Sequence, residues 1–321
     1  MKIIFMGTPD FAVPTLQALC ESRHEVTAVY TKQDQVAGRG RKIIYSPVKE
    51  YALSRGIPVF QPEKLGKSAV REMQEIPADV IVVVAYGKIL RTSVLEMTRY
   101  GCLNVHASLL PKYRGAAPIQ WAVLNGEKES GVTIMQMNEG LDTGDILYQE
   151  KVALSADETS ESLFEKLSLL GGPALLNVLE QMEEGILKPV PQGESPTEYA
   201  RMLTKEDGFM DFGKSASENE RFIRGMYSWP AAQAVFRGRS VKILRAEVVP
   251  DETGVLPGTV SQVSKHGFTV RCGEDALSIL SLQPEGKRVM TADEFLRGYR
   301  VLPGETFETP VKQAGPEDTG A

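Results

Sequence analysis

Short apolar runs alternate with amphipathic stretches through the first half of this chain, and that alternation leaves few folds open. "KIIFMG", "EVTAVYT", "IPVF", "DVIVVVAYG" and "CLNVHAS" read as strands buried on both faces. Between several of them, "FAVPTLQALCES", "SPVKEYALSRG", "KSAVREMQEI" and "TSVLEMTRY" carry apolar residues at helical spacing. Such alternation predicts an α/β fold, a doubly wound and mostly parallel sheet with helices on both faces. After a further helical stretch, "AAPIQWAVLNG", the runs "GVTIMQM" and "GDILYQEKVAL" read as added strands. A long helix follows over "SESLFEKLSLLGGPALLNVLEQMEEGI", with a bend expected at Gly171-Gly172-Pro173.

A length of 321 residues favours two domains over one. The first is expected over 1–187. Residues 188–207, "KPVPQGESPTEYARMLTKED", are proline-rich and polar and read as a linker. Beyond a helix at "ENERFIRGMY", the pattern changes to "SVKILRAEVV", "GTVSQVS", "FTVRCG" and "ALSILSLQ". These are short strands parted by Gly, Pro and Asp, the signature of a small β-barrel, expected over 208–312. "TADEFLRGY" reads as a last helix opened by a Thr N-cap. The final residues, 313–321, read as a disordered tail.

No apolar run is long enough to span a bilayer. "MKIIFMGTPDF" lacks the apolar core and cleavage site of a signal peptide and reads as a first strand. Three cysteines, Cys20, Cys102 and Cys272, stand far apart, which suits a reducing compartment and offers no metal spacing. The net charge is −6, yet residues 208–300 hold 13 basic against 11 acidic side chains, a net of +2. A mildly basic second half is compatible with a polyanionic partner.

Four stretches carry possible chemistry. "GTPDFA", after the first strand, occupies a usual ligand position in doubly wound sheets. It has no second glycine, and Pro9 removes a backbone donor, so nicotinamide binding is disfavoured and a structural turn is the better reading. "QVAGRGRKI" over 35–43 sets Arg39, Arg41 and Lys42 among glycines, a pattern fit for phosphate contact or for a plain solvated loop. In "NVHASLLPKYRGAAP", Asn104 and His106 are two apart on a strand and so project to one side, near the carboxyl end where open α/β sheets bind ligands. His serves proton transfer near neutral pH, and Asn supplies a neutral donor to a developing oxyanion. The alternative is a structural histidine satisfied by a backbone carbonyl. In "NEGLDTGDIL", Asp142 and Asp145 flank Thr143-Gly144, and one of them is placed to orient His106 and stabilise its charged form, unless the stretch is only an Asp-Gly turn.

The run from "NVHASLLPKYRGAAPIQ" to "NEGLDTGDIL" resembles the folate-dependent formyltransferases, and within them the methionyl-tRNA formyltransferase family. The resemblance extends to "MGTPDFAVPTLQAL", "VAGRGRK", "SPVKEYA", "VVVAYGKIL", "LTKEDGFMDF" and "LQPEGKRVMTADEFLRG", nearly the whole chain. It implies a Rossmann-like first domain and an OB-like barrel offering a basic surface to tRNA. It places the catalytic trio at Asn104, His106 and Asp142, and the folate-contacting stretch at Ser108, Leu109, Leu110 and Pro111. The loop that meets the tRNA acceptor stem falls on 35–43, with Arg39, Arg41 and Lys42. Implied partners are 10-formyltetrahydrofolate as co-substrate and charged initiator methionyl-tRNA; no metal and no membrane partner are expected, the setting expected is cytoplasmic, and a monomer is the default. Two rivals remain at this stage: a formyltransferase acting on a small amine, such as a sugar amine or a ribonucleotide glycinamide, and a non-catalytic RNA-binding module.

Overall fold

The computed structural model describes residues 1–37 and 42–310. The expectations for Arg39, Arg41 and the 313–321 tail lie outside the described residues, as does the side chain of Lys42. The chain divides into two units: Met1–Ile119 with Lys128–Leu154 and Ser162–Arg201, and the remainder.

The first unit is built on strands β1 (Lys2–Gly7), β2 (Glu25–Tyr30), the short pair β3 (Gln35–Ala37) and β4 (Lys42–Ile44), β5 (Val59–Phe60), β6 (Val80–Val84), β7 (Cys102–His106), β8 (Glu129–Gln136) and β9 (Ile146–Ala153). Seven of them form one sheet in the order β5-β2-β1-β6-β7-β8-β9, with β3 and β4 apart as a hairpin. Pairing is parallel from β5 through β7 and antiparallel from β7 to β9. This is the doubly wound, Rossmann-like sheet expected from the alternation. Ile3, Ile4, Phe5 and Met6 of β1 are all fully buried, so both faces of the strand are covered. Each such side chain stabilises the fold by about 1.5–3 kcal/mol.

The helices of this unit are α1 (Val13–Cys20), α2 (Pro47–Ser54), α3 (Lys67–Gln74), α4 (Thr92–Leu95) and nearly all of α6 (Ser160–Glu184), whereas α5 (Pro118–Leu124) falls mostly in the second unit. Ser46 caps α2, its hydroxyl accepting from Lys49 N at 3.1 Å, and Pro47 fills the first helical position. α6 runs unbroken through Gly171-Gly172-Pro173. The two glycines serve close packing: a Cβ on Gly171 would meet Val105 Cγ1 at 2.9 Å, and one on Gly172 would meet Ala18 Cβ at 2.7 Å. The stretch read as a loop over 35–43 is strand-paired at its flanks, Gln35 with Ile44 and Ala37 with Lys42. Asp34 anchors its base, taking Lys49 Nζ at 2.6 and 2.8 Å. That bond and one from Gln61 hold the Asp34 carboxyl below the usual carboxylate range.

The second unit opens with α7 (Ala216–Gly225), followed by β10 (Ala232–Phe236), β11 (Arg239–Val249), β12 (Val260–Val263), β13 (Phe268–Arg271), β14 (Ala276–Pro284), β15 (Met290–Thr291), α8 (Ala292–Gly298) and β16 (Phe307–Glu308). The antiparallel sheet runs β12-β13-β14-β11-β10-β16 and curls until its ends meet. Thr259 bridges Thr306, Val260 N donates to Glu305 O at 2.7 Å, and Phe307 N donates to Gly258 O at 2.7 Å. The result is the small OB-like barrel expected of this half. Its core centres on aromatic rings, with Phe236 and Phe268 stacked on Phe307 at 4.6 and 5.6 Å. Thr291 and Glu294 form a reciprocal capping box at the start of α8.

Among the described residues no helix is long and apolar enough to cross a membrane. All three cysteines are free thiols. Burial pushes Cys102 up to about 12 and Cys272 up to about 11, whereas Cys20 is only partly buried. Since the thiolate is the nucleophile, both groups stay protonated at pH 8. Mass spectrometry after alkylation at that pH should find one label per native chain, at Cys20, and three in denaturant. Rapid native labelling of Cys102 would contradict the packing.

Candidate active site

β7 lies where the sheet changes from parallel to antiparallel. Its residue Asn104 pairs with Val83 of β6 on one side and with Met135 of β8 on the other. Asn104 and His106 are two apart on this strand, so they share a face, with Asn104 at its middle and His106 its last residue. Among the described residues no group hydrogen-bonds the Asn104 side-chain amide, and the residue is only partly buried. His106 is buried, 6% exposed.

The His106 ring is gripped from one side. Its Nε2 lies 3.0 Å from the carbonyl oxygen of Tyr113. A carbonyl only accepts, so Nε2 carries the hydrogen and donates it, and Nδ1 is the nitrogen left to gain or lose a proton. Nδ1 faces Asp142 Oδ2 at 3.8 Å. That is too long for a hydrogen bond and right for an ion pair once the ring is protonated. The ring thus has the backbone carbonyl that a structural histidine would need at one nitrogen, and the Asp142 carboxylate beside the other.

Of the two aspartates in the 138–145 loop, Asp142 is the one that faces His106. Its Oδ2 also accepts from Gly115 N at 2.9 Å. Asp142 has φ +52°, in the left-handed region that Asp tolerates better than most residues. Asn138 Oδ1 helps shape the loop, accepting from Gly140 N and from Thr143 Oγ1, both at 3.0 Å. Glu139 accepts from Thr92 Oγ1 at the start of α4. Asp145 contributes backbone, its carbonyl accepting from Gln136 N at 2.9 Å.

The turn at Ser108–Pro111 is fixed from beneath. Thr133 Oγ1 donates to Ser108 O at 2.6 Å and accepts from Leu110 N at 3.0 Å. Gln149 Nε2 donates to Leu110 O at 2.8 Å, and Ser108 Oγ donates to Lys112 O at 2.6 Å. Ser108 and Leu110 are 1% and 3% exposed, and their polar groups are spent inside the turn. Leu109 and Pro111 are the partly exposed pair, so this stretch offers a ligand an apolar surface.

Residues 1–179 match the sequence profile of the Formyl transferase family, and residues 202–300 match that of the Formyl transferase C-terminal domain. The chain belongs to the formyl transferase family. Methionyl-tRNA formyltransferase from Lachnospira eligens is 50% identical to it over 310 residues, 95% of this chain and 98% of the relative. The enzyme of that name from Caldanaerobacter subterraneus subsp. tengcongensis is 46% identical over 306 residues, 95% and 99% of the two chains. Among solved structures, the N-formyltransferase from Helicobacter canadensis, in complex with folinic acid and dTDP-3-aminofucose, superimposes with a TM-score of 0.64. Its sequence is 19% identical, and the match covers 87% of this chain and 99% of that one. WlaRD, a sugar 3N-formyl transferase crystallised with dTDP and 5-N-formyl-THF, gives a TM-score of 0.65 at 20% identity, with 90% and 99% coverage. At such identities these two structures establish a shared fold.

In this formyl transferase, several groups around the site carry no side-chain signal legible in the sequence. Tyr113 O and Gly115 N are backbone atoms, which no side-chain pattern reveals. The segment 190–200, from the proline-rich stretch, borders the site: Val190 bridges Ile146, and Ala200 bridges Gly115. Tyr199 packs on Gly115, where φ is +126° and a Cβ would fall 2.9 Å from the phenol Cζ, so only glycine fits. Burial, and then the charge of Asp142, push the Tyr199 phenol up. Among the described residues no cluster of His, Cys, Asp and Glu is arranged to hold a metal ion.

Proposed function

We propose that this formyl transferase moves the formyl group of 10-formyltetrahydrofolate to the α-amino group of methionine on initiator tRNA, giving N-formylmethionyl-tRNA for translation initiation. The observation that carries this reading is the near-complete coverage of both units by relatives named methionyl-tRNA formyltransferase. The site geometry supports it, because amine formylation needs a donor for a developing oxyanion beside a group that holds a proton.

The folate supplies the formyl carbon. Asn104 donates to the formyl oxygen as the amine nitrogen adds and negative charge gathers there. His106 takes the amine proton at Nδ1, its ring held by Tyr113 O. Asp142 stabilises the resulting imidazolium and is itself kept in place by Gly115 N. The C–N10 bond then breaks, and the proton passes to the departing nitrogen. Leu109 and Pro111 give the folate its apolar contact, while Ser108 and Leu110 hold the turn that presents them. Arg39, Arg41 and Lys42 meet acceptor-stem phosphates. Residues 1–187 carry the reacting groups, 208–312 bind tRNA as an OB-like barrel, and 188–207 lead from one to the other, with 190–200 packed beside the site. The protein works in the cytoplasm as a monomer.

The test is transfer of labelled formyl from 10-formyltetrahydrofolate to methionine-charged initiator tRNA, beside uncharged tRNA and a nucleotide-linked amino sugar. Label is expected on the charged tRNA alone. Label on the amino sugar instead would point to a small-amine formyltransferase, and tRNA binding without transfer to a non-catalytic module.

A further inference from the structure

We infer that Gln192 is a positioning residue for formyl transfer, acting through Asp142 without touching the reacting atoms. This rests on the formyl-transfer reading above. Gln192 sits in "PVPQG", a stretch whose composition suggests only a connection. Yet its side-chain amide is fully engaged. Nε2 donates to Asp142 O at 3.0 Å and to Gly144 O at 2.6 Å. Oε1 accepts from Arg114 Nε at 3.1 Å and Nη2 at 2.8 Å. Arg114 Nη2 also donates to Gly193 O at 2.9 Å, which returns the clamp to its own segment. Two donors and two acceptor positions are all that a carboxamide has, and here all four are used.

What the clamp joins gives it a function. One end grips the backbone of Asp142 at its left-handed φ, with the neighbouring Gly144. The other grips Arg114, which lies between Tyr113 and Gly115. Tyr113 O holds His106 Nε2, and Gly115 N holds the Asp142 carboxylate. Gln192 therefore spans the two backbone pieces whose separation sets the 3.8 Å between His106 Nδ1 and Asp142 Oδ2. Catalytic geometry is sensitive at this scale: a misplacement of about 1 Å typically costs on the order of 100-fold in rate.

Two variants separate the halves of the clamp. Gln192→Ala removes both. Gln192→Glu keeps a partner for Arg114 but loses the two donors and sets a carboxylate against two carbonyl oxygens. Both should lower kcat by roughly 10- to 100-fold, with KM for the folate and for charged tRNA changed less than about threefold. A purely structural role would lower stability and leave each rate constant per folded molecule alike, so thermal unfolding is recorded for every variant. The decisive measurement is a double-mutant cycle on kcat with Asp142→Ala. If Gln192 acts through the Asp142 carboxylate, Gln192→Ala should cost nothing further in the Asp142→Ala background. The same loss in both backgrounds overturns the inference, as does an effect confined to KM or to stability. A wild-type chain inactive on charged initiator tRNA would instead overturn the reading of the reaction.

Discussion

Replacing Asn104 with alanine should reduce the rate of formyl transfer by about 100- to 1,000-fold, the usual cost, about 2.7–4 kcal/mol, of deleting one oxyanion donor. The fold should tolerate the change. The backbone of Asn104 is held on both sides by β6 and β8, and its amide has no partner among the described residues to be orphaned. Thermal stability and folate affinity should therefore stay near wild type while kcat collapses. Asn104→Asp sharpens the point: it keeps the shape but sets a negative charge against the oxygen that becomes negative, so it should be at least as slow. Single-turnover transfer under saturating folate is the measurement. A loss below about threefold in the alanine variant would remove Asn104 from the chemistry.

His106 calls for a gentler substitution. Alanine there would remove the Nε2–H donor to Tyr113 O and empty a buried position, so its rate would report packing as well as chemistry. A glutamine side chain at this position places an amide nitrogen near that of Nε2 and can keep the bond to Tyr113 O, while offering no group that titrates near neutral pH. His106→Gln should fold normally and lose about 100- to 10,000-fold in kcat, the range for a deleted general acid–base group. Combined with Asp142→Asn, it should lose little more than it does alone, since residues that act as a unit are not additive. Full additivity, or a His106→Gln enzyme of near-normal rate, would mean that the proton goes elsewhere.

How far was this site legible beforehand? Asn104 and His106 were legible because strand periodicity of two puts them on one face whatever surrounds them. By residue pattern Asp142 was one of two choices in an Asp-Gly loop; the family resemblance pointed to it, and in the structure its approach to His106 and Gly115 sets it apart from Asp145. Gln192 was not legible: its bond to Asp142 spans 50 residues, and its neighbours are prolines and glycine. In the fold, the long strands stood out because β-branched and apolar runs bury both faces. β16 has two residues and no pattern to read. β10, "AQAVF", hides its alternation because Gln233 is buried, its amide donating to Pro230 O at 3.1 Å. The hairpin at 35–44 exposes Val36 and Ile43, so burial could not have signalled it.

The meeting of 258–260 with 304–307 bears on how the protein behaves in a crowded solution. An open antiparallel sheet presents rows of unpaired N–H and C=O groups, a template on which another chain can add a strand. Here Thr259 and Thr306 close the curl, and Val260, Phe307 and Gly304 spend their N–H groups on the seam. Along this seam the backbone groups are already spent, so that stretch of the sheet margin offers no template to an incoming chain. Substitutions of side chains at the seam should leave that closure intact, because backbone atoms make it.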